Sequence, residues 1–265
     1  MITGQERICN LIDRLNLDTF PRSLMLVGPI GSGKHLICDY IASKFNLTIF
    51  DITKELELET IEEIYQRVQP YLYLIKINEL SVKEENLILK FLEEPLKNSY
   101  IILLAETDLG ILPTVLNRCQ LWYLQNYKKE FLQTFLTVDN PLILDIAVTP
   151  GQVKNLCSSP FNEMVELADK IIDKIEIASL PNTLTLSNKL AWKDEKDKYE
   201  VRVFLLILLS RITIKWKFIN DLRYVSAYQL TYQLHQNMLI KNVDGKALFE
   251  QYLINLRTLM RGSIL

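Results

Sequence analysis

Residues Gly28-Pro29-Ile30-Gly31-Ser32-Gly33-Lys34 fit the spacing G-x-x-x-x-G-K. Glycines at those positions let backbone N–H groups converge on phosphate oxygens, and the closing lysine reaches the outer phosphates of a nucleotide. The spacing has this meaning between a strand and a helix, where the helix N-terminus adds partial positive charge. That context is met: the apolar run Ser23–Val27 precedes the loop, and Ile37, Ile41 and Phe45 follow at helical spacing. The next residue is His35, where a magnesium-binding loop needs the hydroxyl of Ser or Thr. Magnesium prefers oxygen and imidazole suits softer metals. His35 therefore reads as a substitution at a site not required to hold magnesium. A metal or nucleophile–base pair made of His35 and Cys38 is the weaker reading.

Two further constellations could do chemistry. Glu93 and Glu94 end a helical pattern, Asn86–Pro95, but adjacent helix positions point about 100° apart and do not converge on one substrate atom. Arg118 follows in Leu112-Pro113-Thr114-Val115-Leu116-Asn117-Arg118-Cys119-Gln120, and taken singly it reads as a surface arginine. Cys9, Cys38, Cys119 and Cys157 form no C-x-x-C pair, which argues against zinc and for buried thiols in a reducing compartment.

These residues need elements to position them. Ser23–Val27, Leu47–Asp51, Tyr71–Ile77 and Tyr100–Leu104 read as strands, separated by helical patterns that include Glu57–Val68, starting near Thr60, and Glu84–Leu92. Continuous apolar strands alternating with helices predict a parallel sheet covered on both faces. Beyond Leu124 the strand signal ends. Helices are expected at Tyr127–Thr137, Pro150–Ser158, Asn162–Ala178, Asn182–Ala191, Tyr199–Asp221, Ala227–Asn237 and Lys246–Leu259, with polar breaks at Lys193–Lys198 and Asn242–Gly245. Composition agrees: 8 Gly and 9 Pro in 265 residues leave little for turns, and 49% hydrophobic residues exclude disorder. With 30 Lys+Arg against 32 Asp+Glu the chain carries no basic excess, so DNA contact needs a local basic face or partner chains. The longest apolar run in the C-terminal half, Val203–Leu209, is far short of a membrane span. A soluble, cytoplasmic protein with no membrane partner is expected.

The ordered set of Gly4-Gln5, the phosphate loop, the N-x-L-L-K-x-L-E-E-P-like helix, the strand leading to Thr107 and the L-P-T-x-L-x-R-C-Q segment resembles the clamp-loader subunits of the AAA+ class, most closely the delta-prime type. Specific motifs cover about residues 2–124, and helical pattern alone covers 125–265. The resemblance implies an α/β P-loop AAA+ base with a parallel sheet at 1–124, a small helical lid at 125–160 and an all-α collar for oligomerisation at 161–265. It implies Arg118 as an arginine finger acting on ATP held by a neighbouring subunit, with Asn117 in place of the usual Ser. It also implies a nucleotide contacted by Gly28, Pro29, Ile30, Gly31, Ser32, Gly33, Lys34 and His35, with Thr107 as the γ-phosphate sensor.

Departures from the family pattern bear on activity. The acidic pair that would hold magnesium falls at Ile75 and Lys76, and sliding the frame to Asn78-Glu79 still brings no Asp. Gln152 and Val153 stand where the lid arginine should follow Pro150-Gly151, and residues 46–55 leave no room for the family's zinc module. Phosphoryl transfer rests on positioned charge. With these departures the resemblance implies a hydrolysis-deficient clamp-loader subunit of a replicative polymerase, whose loop either keeps ATP or ADP without turnover or is a relic, and which holds no zinc. Its implied partners are gamma/tau-type ATPases and delta in a hetero-pentamer, the sliding clamp and primer-template DNA. An active gamma/tau-type ATPase, a small-molecule P-loop kinase and a pseudo-ATPase outside replication are the alternatives.

Overall fold

The computed structural model describes residues 2–57, 64, 71–93, 99–190, 192, 195–240 and 243–262. Most of the expected helix Glu57–Val68 including Thr60, the Glu94-Pro95 end of the helical motif, Ala191, and residues 193–194 and 242 of the polar breaks lie outside them. The chain divides into two compact units, residues 1–136 with 147–154, and residues 137–146 with 155–265.

In the first unit, α1 (Glu6–Arg14) leads into β1 (Ser23–Val27), α2 (Lys34–Phe45), β2 (Thr48–Asp51), β3 (Tyr71–Lys76), α3 (Val82–Glu93), β4 (Ser99–Ala105), α4 (Pro113–Leu116), β5 (Gln120–Tyr123) and α5 (Lys129–Gln133). The five strands form one sheet in the order β2-β3-β4-β1-β5, and every pairing is parallel. Alternate side chains of a strand point to opposite faces. Leu24 and Leu26 of β1 accordingly join Leu72, Leu74, Ile102 and Leu104 in a core covered by Ile8, Ile12, Ile37 and Ile41. Met25 and Val27 join Tyr73, Ile75, Ile101 and Leu103 in the opposite core, covered by Ile88, Phe91 and Val115. Two covered faces are why β1 and β4 are buried at every position and read as unbroken apolar runs.

Strand β5 has no counterpart among the expected elements. It is a four-residue edge strand whose only buried residue is Trp122, so its pattern carries no period for a reader to find. It pairs with β1, Leu24 opposite Gln120 through Val27 opposite Tyr123.

The second unit is helical: α6 (Leu142–Ile146), the end of α7 (Pro150–Ser158), α8 (Phe161–Lys174), α9 (Leu180–Leu184), α10 (Glu195–Ile219), α11 (Arg223–Asn237) and α12 (Gly245–Met260). Of the expected break Lys193–Lys198, the described part, residues 195–198, instead supplies the first turn of α10, because Glu and Lys are good helix formers. Asn162–Ala178 is shorter than expected and stops at Lys174; Asn182–Ala191 resolves into α9 and a 3₁₀ turn at Ser187–Lys189. Helix α10 is this unit's core, with Phe204, Leu205, Leu208 and Ile212 almost fully buried. Among the described residues no helix is long and apolar enough to cross a membrane.

Candidate functional site

The phosphate-loop residues sit where the sequence places them, at the C-terminal edge of β1 before α2. The loop is seated on the neighbouring strand: Gly28 N donates to Ala105 O of β4 at 3.0 Å. Gly31 and Gly33 adopt φ of +75° and +95°, values that favour glycine, and Gly33 forms the N-terminal boundary of α2. His35 is exposed on the first turn of that helix and Cys38 is buried one turn later. Burial, with Asp39 beside it, pushes the Cys38 thiol up to about 12. A protonated, enclosed thiol is no nucleophile. Cys9 is also buried, whereas Cys119 and Cys157, expected to be buried, are only half so.

The loop's carbonyls are occupied by this chain's own donors. Lys34 Nζ donates to Gly28 O and, at 3.0 Å, to Pro29 O. Thr149 Oγ1 donates to Ile30 O at 2.7 Å, Gly151 N to Gly31 O at 3.4 Å, and Tyr127 OH to Ser32 O at 3.0 Å. Thr149 is also the cap of α7: its hydroxyl accepts from Gln152 N at 3.2 Å while Gln152 Oε1 accepts from Val148 N at 2.8 Å. The segment Thr-Pro-Gly-Gln is thus a variant of the capping box, with Pro at the first helical position. Gln152 therefore has a structural task at the position where the family pattern has an arginine, and Val153 is fully buried. Tyr127 lies over Gly4, whose φ is +85° and whose missing side chain leaves room for the ring. The buried Gln5 amide fixes the same segment by bonding Gln125 O at 2.8 Å and Gln125 N at 3.1 Å.

Thr107 follows β4, and its hydroxyl accepts from Leu109 N at 3.2 Å. Its neighbour Glu106 was not singled out in the sequence; its charge acts on Lys34, and its backbone N–H donates to Asn78 Oδ1 at 2.7 Å. Burial pushes Lys34 down to about 8 against the opposing pull of Glu106. A cleft of about 610 Å³ flanks the loop, lined by Gly31, Gly33, Leu36, Tyr40, Tyr127, Phe131 and Gly151. The rings of Tyr127 and Phe131 stack with centroids 5.4 Å apart and planes 17° from parallel.

These residues fit a phosphate group. Two glycines have positive φ, a lysine stands at the helix start, and the Ser32 hydroxyl is buried with no hydrogen-bond partner among the described residues. They do not fit magnesium. Lys76 ends β3 where an acidic ligand would be needed, and it engages the nearby carboxylates itself, Asp51 at 3.6 Å and Glu79 at 3.9 Å. Burial opposes the charge on Asp51, but the hydroxyl and N–H of Thr53, with Lys76, outweigh it and hold the carboxyl below its usual range.

Arg118 stands apart from the loop in its bonding. It is exposed between α4 and β5, its NH1 donates to Thr114 O at 2.8 Å and its NH2 to the Glu93 carboxylate. Of Glu93 and Glu94, only Glu93 is described, and its partner is this arginine rather than a second acid.

Comparison with known proteins places a likeness on this part of the chain. Residues 46–128 match the family model described as DNA polymerase III, delta subunit. The chain resembles DNA polymerase III subunits there. The matched stretch holds Glu93, Thr107 and Arg118 and leaves out the phosphate loop. The DNA polymerase III subunit delta' of Haemophilus influenzae is 29% identical over 98 residues, which are 36% of this chain and 30% of that protein. A gamma subunit-related protein of Thermotoga maritima, of solved structure, aligns with 97% of this chain and 100% of its own at 14% identity and a TM-score of 0.43.

Proposed function

We propose that the chain is a delta-prime-like clamp-loader subunit that donates Arg118 to a nucleoside triphosphate on a neighbouring ATPase subunit and does not itself hydrolyse ATP. The observation that carries this is an exposed arginine, held by Thr114 O and Glu93, in a chain where, among the described residues, Lys76 ends β3 and engages Asp51 and Glu79 itself. An arginine supplied in trans contributes about 10³–10⁵ to phosphoryl transfer, so such a subunit is inert alone and essential in the complex. The loop holds ATP or ADP as a fixture, its phosphates on Gly31–Lys34 and its base against Tyr127 and Phe131. On this reading residues 1–124 are the base, 125–160 the lid and 161–265 the collar. The partners are gamma/tau-type ATPases and delta in a cytoplasmic hetero-pentamer that places a sliding clamp on primer-template DNA.

The test is DNA-stimulated ATP hydrolysis by the complex reconstituted with partner ATPase subunits from the same source. Arg118→Ala should abolish most of the stimulated rate while the complex still assembles; an unchanged rate rejects the reading. Magnesium-dependent turnover by the purified chain alone would point to a motor subunit instead.

A further inference from the structure

Helix α3 holds the arginine segment at both of its ends. Glu85, only 1% exposed, accepts from Leu112 N at 3.0 Å, immediately before α4. Glu93 takes the Arg118 guanidinium at the segment's other end. Residues eight apart share one face of a helix, so a single face of α3 presents both carboxylates to residues 112–118. The buried one sets the backbone. The half-exposed one acts on a side chain.

That second contact is out of proportion to any role in stability. The Glu93 and Arg118 side chains are 49% and 34% exposed, and ion pairs at such sites contribute little to folding. Its effect is on direction. An arginine has many rotamers, and two anchors, Thr114 O on NH1 and Glu93 on NH2, select among them. Those bonds, among the described residues, use two of the guanidinium's five N–H groups, which leaves three donors for an oxyanion.

We propose that Glu93 is a positioning residue for Arg118, fixing its guanidinium in the orientation that meets the triphosphate of a neighbouring subunit. This rests on the proposed role of Arg118. In the step served, a water oxygen bonds to the γ-phosphorus and the bond from that phosphorus to the β,γ-bridging oxygen breaks, giving ADP and phosphate. Arg118 gives up no proton; it offsets the charge that spreads onto the phosphoryl oxygens. Glu93 touches none of the reacting atoms and acts only by holding the arginine.

The experiment measures kcat and KM for ATP in the reconstituted complex with full-length Glu93→Gln and Glu93→Lys chains, each with Arg118 intact and with Arg118→Ala. Glu93→Gln should lower the DNA-stimulated kcat about two- to fivefold with KM for ATP unchanged, the scale of one exposed ion pair. Glu93→Lys, which repels the guanidinium, should lower it further. In the Arg118→Ala background neither change should have a further effect. If Arg118→Ala abolishes stimulation while both Glu93 variants are fully active or faster, the positioning role is overturned and the arginine role stands. If Arg118→Ala leaves stimulation intact, both fall together.

Discussion

Gly31 and Gly151 meet backbone to backbone, the phosphate loop against the first turn of α7. A Cβ on Gly151 would lie 2.5 Å from Gly31 Cα, and one on Gly31 would lie 2.8 Å from Gly151 N. Neither neighbour is a flexible side chain that could swing away. Gly151→Ala must therefore separate the helix from the loop and strain the bonds from Thr149 and Gly151 to the loop carbonyls. We expect a loss of about 1–3 kcal/mol, the usual cost of inserting a methyl group into close packing. Gly31→Ala should cost more, because φ +75° adds backbone strain to the clash. Urea unfolding of both variants checks this, and an unchanged midpoint for Gly151→Ala would show that the two backbones are not held together in solution.

Lys34 gives the proposed nucleotide site a pH signature. Its amino group, pushed down to about 8 by burial, is protonated at neutral pH and loses its charge as pH rises through about 8. A bound phosphate favours the charged form, so binding takes up protons there, and affinity must fall with rising pH by at most about tenfold per unit. Magnesium-free ADP titrated between pH 6.5 and 9.5 should bind progressively more weakly above 8, and Lys34→Met should bind weakly at every pH without the slope. Affinity that stays level through pH 9.5 in the unmodified chain would mean that Lys34 does not contact the phosphates.

The sheet and the loop were legible because their signals are local. Unbroken runs such as Tyr71–Lys76 report two covered faces, and G-x-x-x-x-G-K fixes a turn by its own glycines. What the sequence hid depends on contacts across long separations. Nothing in Tyr127 or Thr149 announces a bond to a loop about a hundred residues earlier, although Thr-Pro-Gly-Gln does spell a helix start. Glu93 and Arg118, 25 residues apart, were each unremarkable in isolation. The pairings of β3 with β4, β4 with β1 and β1 with β5 bring the elements that carry them into one unit. The edge strand β5 escaped notice for a related reason, since most of its side chains are partly exposed and report no covered face.

His235 should govern part of the acid sensitivity of the second unit. Burial, with Arg202 nearby, pushes the imidazole down to about 4, and its Nδ1 is buried without a hydrogen-bond partner among the described residues. Between about 6.5 and 4 the unfolded chain takes up a proton that the folded chain refuses, so stability falls as pH drops through that window. Replacing His235 by Leu removes this proton uptake and an unsatisfied nitrogen together. The variant should match or slightly exceed the parent near pH 7 and be more stable by about 1–3 kcal/mol near pH 4. Thermal unfolding across pH 4–7 decides it: parallel curves for the two proteins would show that the imidazole is solvated.

Two acid–base pairs one turn apart join α8 to α10, and their geometries set different expectations. Arg211 meets Asp169 through two bonds, Nε to Oδ1 at 2.7 Å and NH2 to Oδ2 at 3.0 Å. Lys215 meets Asp173 through one contact of 2.7 Å. A planar fork matched to a carboxylate loses less freedom per bond than a flexible ammonium does. A double-mutant cycle in urea should therefore give a coupling of about 1 kcal/mol for Arg211 with Asp169 and only a few tenths for Lys215 with Asp173. Arg211→Lys should forfeit most of the larger coupling, since one ammonium cannot make both bonds. Both couplings should shrink at high salt, the Lys215 pair to nothing measurable. Equal couplings for the two pairs would mean that net charge, and not the bidentate geometry, holds these helices together at their surface.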